Sequence, residues 1–271
     1  MTFIPTHFIN SVVALGVPKN SSCPFWTGTG FFVGKKLSSN PEKSFVFLIT
    51  NKHVVANKSI LIARFSTDSN SVEDFQIELF DNNQNKNFSE HDTADVVAIL
   101  INPNIALEKH AIVNWFDLDE DTLTTKQMTD TGVIEGSLVY TMGFPMSLVE
   151  MNKKRPICRL GCISRIADEN DTPMNLLIDA QVFPGNSGGP VINRPEITSV
   201  GGTPYNTKAN LIGVVYAYIP YEEHLLNMQT NEIVSKQVDN SGLALVCPVN
   251  YIREVITKEI NRNNLETNNL S

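Results

Sequence analysis

The sequence holds no apolar run near the ~20 residues that a membrane-crossing helix requires, so none is expected. It also lacks a basic surplus: 21 Lys and Arg stand against 29 Asp and Glu, a formal net charge of −8. So acidic a chain offers no broad cationic surface for a nucleic-acid backbone, and its expected partners are proteins or peptides. Cysteines are few: Cys23, Cys158, Cys162 and Cys247. None stands in the CxxC or Cys/His spacing of a zinc site, so no metal is expected. Cys158 and Cys162 lie in a strand-like segment, roughly 13 Å apart at ~3.3 Å per residue, too far to bridge each other. Four free, buried thiols in a reducing cytoplasm are the expectation. The first 16 residues lack the basic start and cleavage site of a secretion signal, which agrees with that location. They read as a tail entering a first strand at residues 11–15.

What the chain does contain is short β-branched and aromatic runs, such as Phe45-Val46-Phe47-Leu48-Ile49, Val96-Val97-Ala98-Ile99-Leu100 and Ile212-Gly213-Val214-Val215. Asn, Asp, Gly, Pro and Ser break them up, the pattern of a β-sandwich or barrel and not of βαβ units. Helical spacing emerges only near the end, where Tyr251, Ile252, Val255, Ile256 and Ile260 mark one apolar stripe. An Asp- and Thr-rich stretch divides the chain. The expected layout is a first β unit over 1–116, a connection over 117–131, a second β unit over 132–250, and a closing helix with a frayed tail over 251–271. Residues 83–93, 194–210 and 221–240 read as long loops, the last two flanking a strand over 211–218 and placed to cover a site there.

Chemistry concentrates at Pro184-Gly185-Asn186-Ser187-Gly188-Gly189-Pro190. A nucleophilic serine needs an exposed hydroxyl on a tight turn with backbone N–H groups free to bind an oxyanion, and flanking glycines permit both. The segment lacks the Lys-Ser/Thr ending of a phosphate-binding loop. His53 follows the strand-like run ending at Ile49, where a histidine can project into a cleft as a general base. Asp95 abuts the run beginning at Val96, and a carboxylate there calls for a partner, because burying an unpaired charge is costly. Asp92 is its rival; direct contact with the apolar run favours Asp95.

Taken together, Thr50-Asn51-Lys52-His53, Asp95-Val96-Val97-Ala98-Ile99-Leu100 and Gly185-Asn186-Ser187-Gly188-Gly189-Pro190, in that order, resemble the trypsin/chymotrypsin superfamily. The likeness is to bacterial HtrA-type protease domains and stand-alone trypsin-like peptidases. Gly28-Thr29-Gly30-Phe31-Phe32-Val33, Gly143-Phe144-Pro145, Ile178-Asp179-Ala180 and Gly242-Leu243-Ala244 match that subgroup's pattern. The resemblance implies an all-β fold of two six-stranded Greek-key barrels, chymotrypsin-like, with a short C-terminal helix. It implies a serine endopeptidase without cofactor: Ser187 as nucleophile, His53 as base, Asp95 orienting the imidazole, and the N–H groups of Gly185 and Ser187 as oxyanion hole. It implies that Gln181 lies near the base of the specificity pocket and that Tyr216, Ala217, Tyr218 and Gly242 contact substrate.

Two departures carry weight. No PDZ module follows, so peptide sensing by one is not expected. Asn186 stands where digestive trypsins carry an aspartate that pairs with a newly cut N-terminus, and a neutral amide forms no such ion pair. Control by a regulatory protein partner or by the long loops is expected instead. The competing readings are a silent pseudoprotease or peptide-binding module, which would need none of the three residues, and a serine esterase on the same fold.

Overall fold

The computed structural model describes residues 4–19, 23–37, 40–168, 175–196 and 206–265. The chain opens with helix α1 (Thr6–Ser11), where the sequence suggested only a tail, and enters β1 (Val12–Val17). Strands β2 (Phe25–Leu37), β3 (Asn40–Thr50), β4 (Ile60–Ser66), β5 (Val72–Glu78), β6 (Ser89–Glu90) and β7 (Val97–Ile101) follow. Helix α2 (Lys52–Val55) lies between β3 and β4, and α3 (Pro103–Leu107) comes after β7. With β8 (Phe116–Asp117), these strands form one eight-stranded sheet in the order β5-β4-β1-β2-β3-β7-β6, β8 pairing with β2.

Period-2 alternation sorts the side chains of this sheet. Val13, Leu15, Phe32, Val46 and Leu48 join one apolar cluster, and their neighbours Val12, Ala14, Phe31, Phe47 and Ile49 join another. The first cluster fills the sheet's own interior. The second also contains Met142, Val214 and Ile252, from the second half of the chain. Strands wedged between two apolar layers read in sequence as continuous apolar runs, which is why they were legible as strands and not as alternating ones.

The second half holds α4 (Thr125–Asp130), β9 (Leu138–Gly143), a 3-10 turn at Pro145–Ser147, β10 (Ile157–Arg165), β11 (Leu176–Asp179), β12 (Pro190–Asn193), β13 (Leu211–Leu226) and β14 (Ile233–Pro248). These strands close a six-stranded barrel in the order β10-β11-β14-β13-β12-β9. Its interior is a third cluster including Val139, Ile178, Ile212 and Val246. Helix α5 (Val249–Arg262) then returns to the first sheet. Its Glu259 carboxylate is fully buried, accepting from Ser89 Oγ at 2.7 Å and from the Leu100 N–H at 3.3 Å.

The all-β expectation holds, with three corrections of detail. The first sheet has eight strands instead of six, and its path stays open between β5 and β6 among the described residues. A cavity of about 310 Å³ is lined by Phe75 and Ile77 of β5, Ile99 of β7 and Ala106 of α3. The stretch over 117–131 is not plain coil: Thr124 and Gln127 form a capping box that starts α4. Residues 221–240 are not a loop either. They continue β13 and β14 as an antiparallel ribbon, with Tyr221 opposite Asp239 and Leu225 opposite Ser235. Part of the other expected loop, residues 197–205, lies outside the described residues.

Candidate active site

Strand β3 ends at Thr50, and the chain turns at Asn51 into α2, which carries His53. The Asn51 amide donates to the Asp95 carbonyl at 2.6 Å, fastening this turn to the segment just ahead of β7. That brings two of the singled-out residues together: His53 Nδ1 and Asp95 Oδ2 are 2.6 Å apart, and the His53 backbone N–H donates to Asp95 Oδ1 at 3.3 Å. Burial pushes the Asp95 carboxyl up, but the hydrogen bond and charge of His53, with the backbone N–H groups of His53 and Lys52, outweigh it. The carboxyl is held below the ordinary carboxylate range. Asp92, the rival, turns away: its exposed carboxylate pairs with Lys258 at 2.6 Å on α5.

Ser187 comes from the other half, on the turn between β11 and β12. Gly188 has φ +84°, and a Cβ there would lie 2.0 Å from the Thr29 carbonyl and 2.3 Å from Thr50 Oγ1. Only glycine lets this turn lie against the strand end that leads to His53. The Thr29 N–H donates to the Ser187 carbonyl at 2.9 Å. The fully buried Thr29 hydroxyl donates to the Gly185 carbonyl at 2.6 Å and accepts from the Phe144 N–H at 3.0 Å. Residue 29 thus ties β2 to both loops that shape the turn. The sequence showed Thr29 only as the middle of a Gly-Thr-Gly motif, without a role.

The turn's N–H groups divide into used and unused. Asn186 donates to the Phe183 carbonyl at 2.9 Å, Gly188 to Val215 at 2.9 Å and Gly189 to Asn186 at 2.8 Å. The N–H groups of Gly185 and Ser187 have no acceptor among the described residues. The peptide carrying the Gly185 N–H is held by its other end, because the Met146 N–H donates to the Pro184 carbonyl at 2.6 Å. Gly185 itself has φ +100°, and a Cβ there would meet the Phe144 carbonyl at 2.4 Å. Ser187 is part-exposed, and its Oγ has no hydrogen-bond partner among the described residues.

Beside Ser187 lies a cavity of about 310 Å³, lined by Val182, Phe183, Pro184 and the β13 segment Val215-Tyr216-Ala217-Tyr218. Tyr216, Ala217 and Tyr218 run along its wall. Gln181 does not: it is exposed, and Val182, one residue on, is buried and lines the cavity. The strand-like alternation running out of β11 points residue 181 outward. Gly242 is not a lining residue but backs the wall, its carbonyl accepting from the Ala180 N–H at 2.9 Å. Among the described residues no carboxylate lines the cavity, and the Arg159 guanidinium lies 5.3 Å from the Phe183 ring. On the far side of His53 a second depression, about 550 Å³, is bordered by Lys52, Val55, Phe88 and Glu90.

The four cysteines are unpaired with one another, and only Cys247 is buried; Cys158 is exposed, and Cys23 and Cys162 are intermediate. Burial pushes the Cys247 thiol up to about 12, leaving it protonated at neutral pH. No described helix is long and apolar enough to cross a membrane.

Comparison with known proteins agrees with this architecture. No curated protein sequence matches the chain significantly. Among solved structures, the chain is similar to the MamO protease domain of Magnetospirillum magneticum in its apo form. The TM-score is 0.52 at 15% identity, covering 92% of this chain and 96% of that one. It is also similar to Deg5, with TM-score 0.53 at 16% identity, covering 94% and 91%. The HtrA-type protease AlgW, solved with a decapeptide, gives TM-score 0.53 at 14% identity; this chain spans only 66% of its length. At such identities these likenesses show the fold, the chymotrypsin-like one. The sequence itself matches the model of the trypsin-like peptidase domain over residues 28–201. That match covers more than half of the chain and includes all three singled-out residues: the chain belongs to the trypsin-like peptidase family.

Proposed function

We propose that the chain is a serine endopeptidase that cuts protein substrates through an acyl-enzyme. The observation that carries this reading is the Ser187 turn. The N–H groups of Asn186, Gly188 and Gly189 are spent on internal carbonyls, while those of Gly185 and Ser187 have no acceptor among the described residues. An inert turn has no use for two unpaired donors beside a serine, and two such donors are what a tetrahedral oxyanion requires.

In this mechanism His53 Nε2 takes the Ser187 hydroxyl proton as Oγ attacks the scissile carbonyl. The carbonyl oxygen, now negative, accepts from the Gly185 and Ser187 N–H groups. Asp95 fixes the proton on His53 Nδ1 and stabilises the imidazolium. His53 returns its proton to the leaving amine, and a water, deprotonated in turn by His53, releases the acyl group. Ser187 Oγ is not yet hydrogen-bonded to His53, and that contact closes as substrate fills the cleft. The apolar cavity of about 310 Å³ selects an uncharged side chain before the scissile bond. Four unpaired thiols suit a reducing compartment, and we place the enzyme in the cytoplasm. Asn186 supplies no carboxylate for an N-terminal ion pair, so control falls to a partner or to substrate itself.

The test is labelling with a fluorophosphonate probe followed by digestion of casein. The wild-type chain should be labelled on Ser187 and should cut casein, and Ser187→Ala should lose turnover by up to ~10⁶ while folding normally. Labelling without proteolysis would mark an esterase. Absence of labelling would mark a silent, peptide-binding relative.

A further inference from the structure

Strand β13 changes surroundings partway along its length. Through Val214 it is paired on one side with β12, and the Val215 N–H and carbonyl still bond to Gly189 and Gly188. From Tyr216 to Leu226 that same edge has no strand beside it among the described residues, while β14 pairs with the other edge throughout. At ~3.3 Å per residue the open edge is roughly 35 Å long. It begins in the wall of the cavity beside Ser187 and continues onto the ribbon, its register shifting between Val215 and Ala217 and between Tyr218 and Pro220. The ribbon is apolar for so exposed an element: Leu225 and Val234 are each 69% exposed and Met228 is 94% exposed. A long, apolar, open edge is a hazard for a free-standing chain unless something pairs with it.

We infer that the β13 edge of the ribbon is an extended substrate site, to which the segment preceding the scissile bond adds as an extra strand. This rests on the peptidase reading for its direction. His53 must protonate the leaving amine, so the half of the substrate after the scissile bond departs past His53. The acyl half lies on the other side, against the cavity formed by Val182, Pro184 and β13. The chain leading into that half can follow the β13 edge onto the ribbon without crossing another element. Main-chain pairing supplies affinity, and alternate side chains supply selectivity. Pro220 offers no N–H, so the added ladder skips a bond there.

The ribbon's side chains set the chemistry of what binds. Residues 221–240 carry Glu222, Glu223, Glu232 and Asp239 against one lysine, Lys236, which Glu222 already holds at 2.7 Å. Tyr221, Leu225 and Leu226 are exposed beside them. The matching occupant is an extended segment of substrate with apolar and basic residues in alternation. An acidic segment would meet like charge.

The experiment uses labelled peptides with leucine before the scissile bond, preceded either by three residues or by a longer extension of alternating Leu-Lys or Leu-Glu. Cleavage is measured on the wild-type chain and on one in which residues 222–238 are replaced by a short turn. That trimming keeps Asn240, whose amide donates to the Val182 carbonyl, and Ser241, whose hydroxyl donates to the Ile219 carbonyl. Affinity for the same peptides is measured separately on Ser187→Ala chains with and without the ribbon. The wild type should favour the Leu-Lys extension over the short peptide by about tenfold or more, mainly in KM and Kd. The trimmed chain should lose that preference and still cut the short peptide. Equal long-to-short ratios in both chains would overturn the inference. If nothing is cut but the Ser187→Ala chain binds the Leu-Lys peptide only with its ribbon, the peptidase reading falls and the ribbon site stands. If it binds no extension better than the short peptide, the ribbon site falls. Should trimming prevent folding, Glu223→Lys with Asp239→Lys on the full ribbon must turn the preference toward Leu-Glu; an unchanged preference would refute the inference.

Discussion

Thr29 and Gly185 come from opposite halves of the chain and meet at 2.6 Å, the threonine hydroxyl donating to the glycine carbonyl. Because the same hydroxyl accepts from the Phe144 N–H, a single buried side chain holds the turn carrying the candidate nucleophile and the loop after β9 in one geometry. Met146 holds the adjoining peptide from that loop through the Pro184 carbonyl. Between these two bonds the dihedrals of Gly185 have little freedom, and its N–H keeps its heading.

Thr29→Val removes the hydroxyl while keeping the shape. It leaves a buried donor and acceptor unpaired, at a cost of about 1–3 kcal/mol each. With Gly185 free to turn, kcat should fall by up to ~10², approaching the loss of one oxyanion donor, with KM little changed. Thr29→Ser keeps the hydroxyl and should restore most of kcat. Chemical denaturation and steady-state hydrolysis of a peptide read the two effects separately. A valine variant that is destabilised but keeps full kcat would reduce Thr29 to a packing role.

Asp95→Asn should lower kcat by about 10⁴, since an amide favours the wrong imidazole tautomer, whereas Asp92→Asn should change it by no more than a few-fold. The same pair of variants separates in acid. The Asp95 carboxyl is held below its ordinary value in the folded chain and titrates near ~3.9 when unfolded. The stability it contributes is therefore complete above that unfolded value and is lost as pH falls through the lower, folded one. The wild-type advantage over Asp95→Asn in unfolding free energy should be present at about pH 5 and shrink below about 4. An advantage independent of pH down to 3 would mean that the carboxylate gains nothing from His53.

Much of this site was legible because its chemistry depends on local sequence. Glycines at 185 and 188 are demanded by close backbone approach, and the strand ends before His53 and after Asp95 are marked by apolar runs. What escaped depends on long-range contact or on geometry that composition hides. Thr29 acts on a residue far along the chain, and a threonine between glycines carries no mark of that. The ribbon over 221–240 mixes its apolar residues with enough polar ones to pass for a loop, yet it continues the β13–β14 pairing, and Ile233, Val234 and Val238 sustain it. Gln181 was placed by the family resemblance, and one residue of alternation was enough to turn it outward and bring Val182 in. The first sheet's path ends at the two-residue β6, a boundary that no pattern announces.

Lys154 tests the folded chain at the opposite end of the pH scale. It lies in the segment joining β9 to β10, the same segment whose Met146 N–H holds the Pro184 carbonyl. Its side chain is almost wholly buried, its amine donates to the Asn10 carbonyl at 2.6 Å, and among the described residues it has no ion-pair partner. Burial therefore pulls its ammonium down to about 7. In the unfolded chain a lysine titrates near ~10.4. Below pH 7 both states carry the proton and the cost of burying the charge is at its fullest. Between those two values the unfolded chain keeps a proton that the folded chain has released, so stability from this site rises by about 1.4 kcal/mol per pH unit. Lys154→Met removes the charge and keeps the length. Its stability relative to wild type should be greatest near pH 6 and decline by about that slope from pH 7 to 10, ending below wild type because the Asn10 carbonyl has lost its donor. Urea titrations of both chains across that range measure the difference directly, with every other titrating group common to the two. A difference that does not vary with pH would show that Lys154 is charged and solvated in the folded chain.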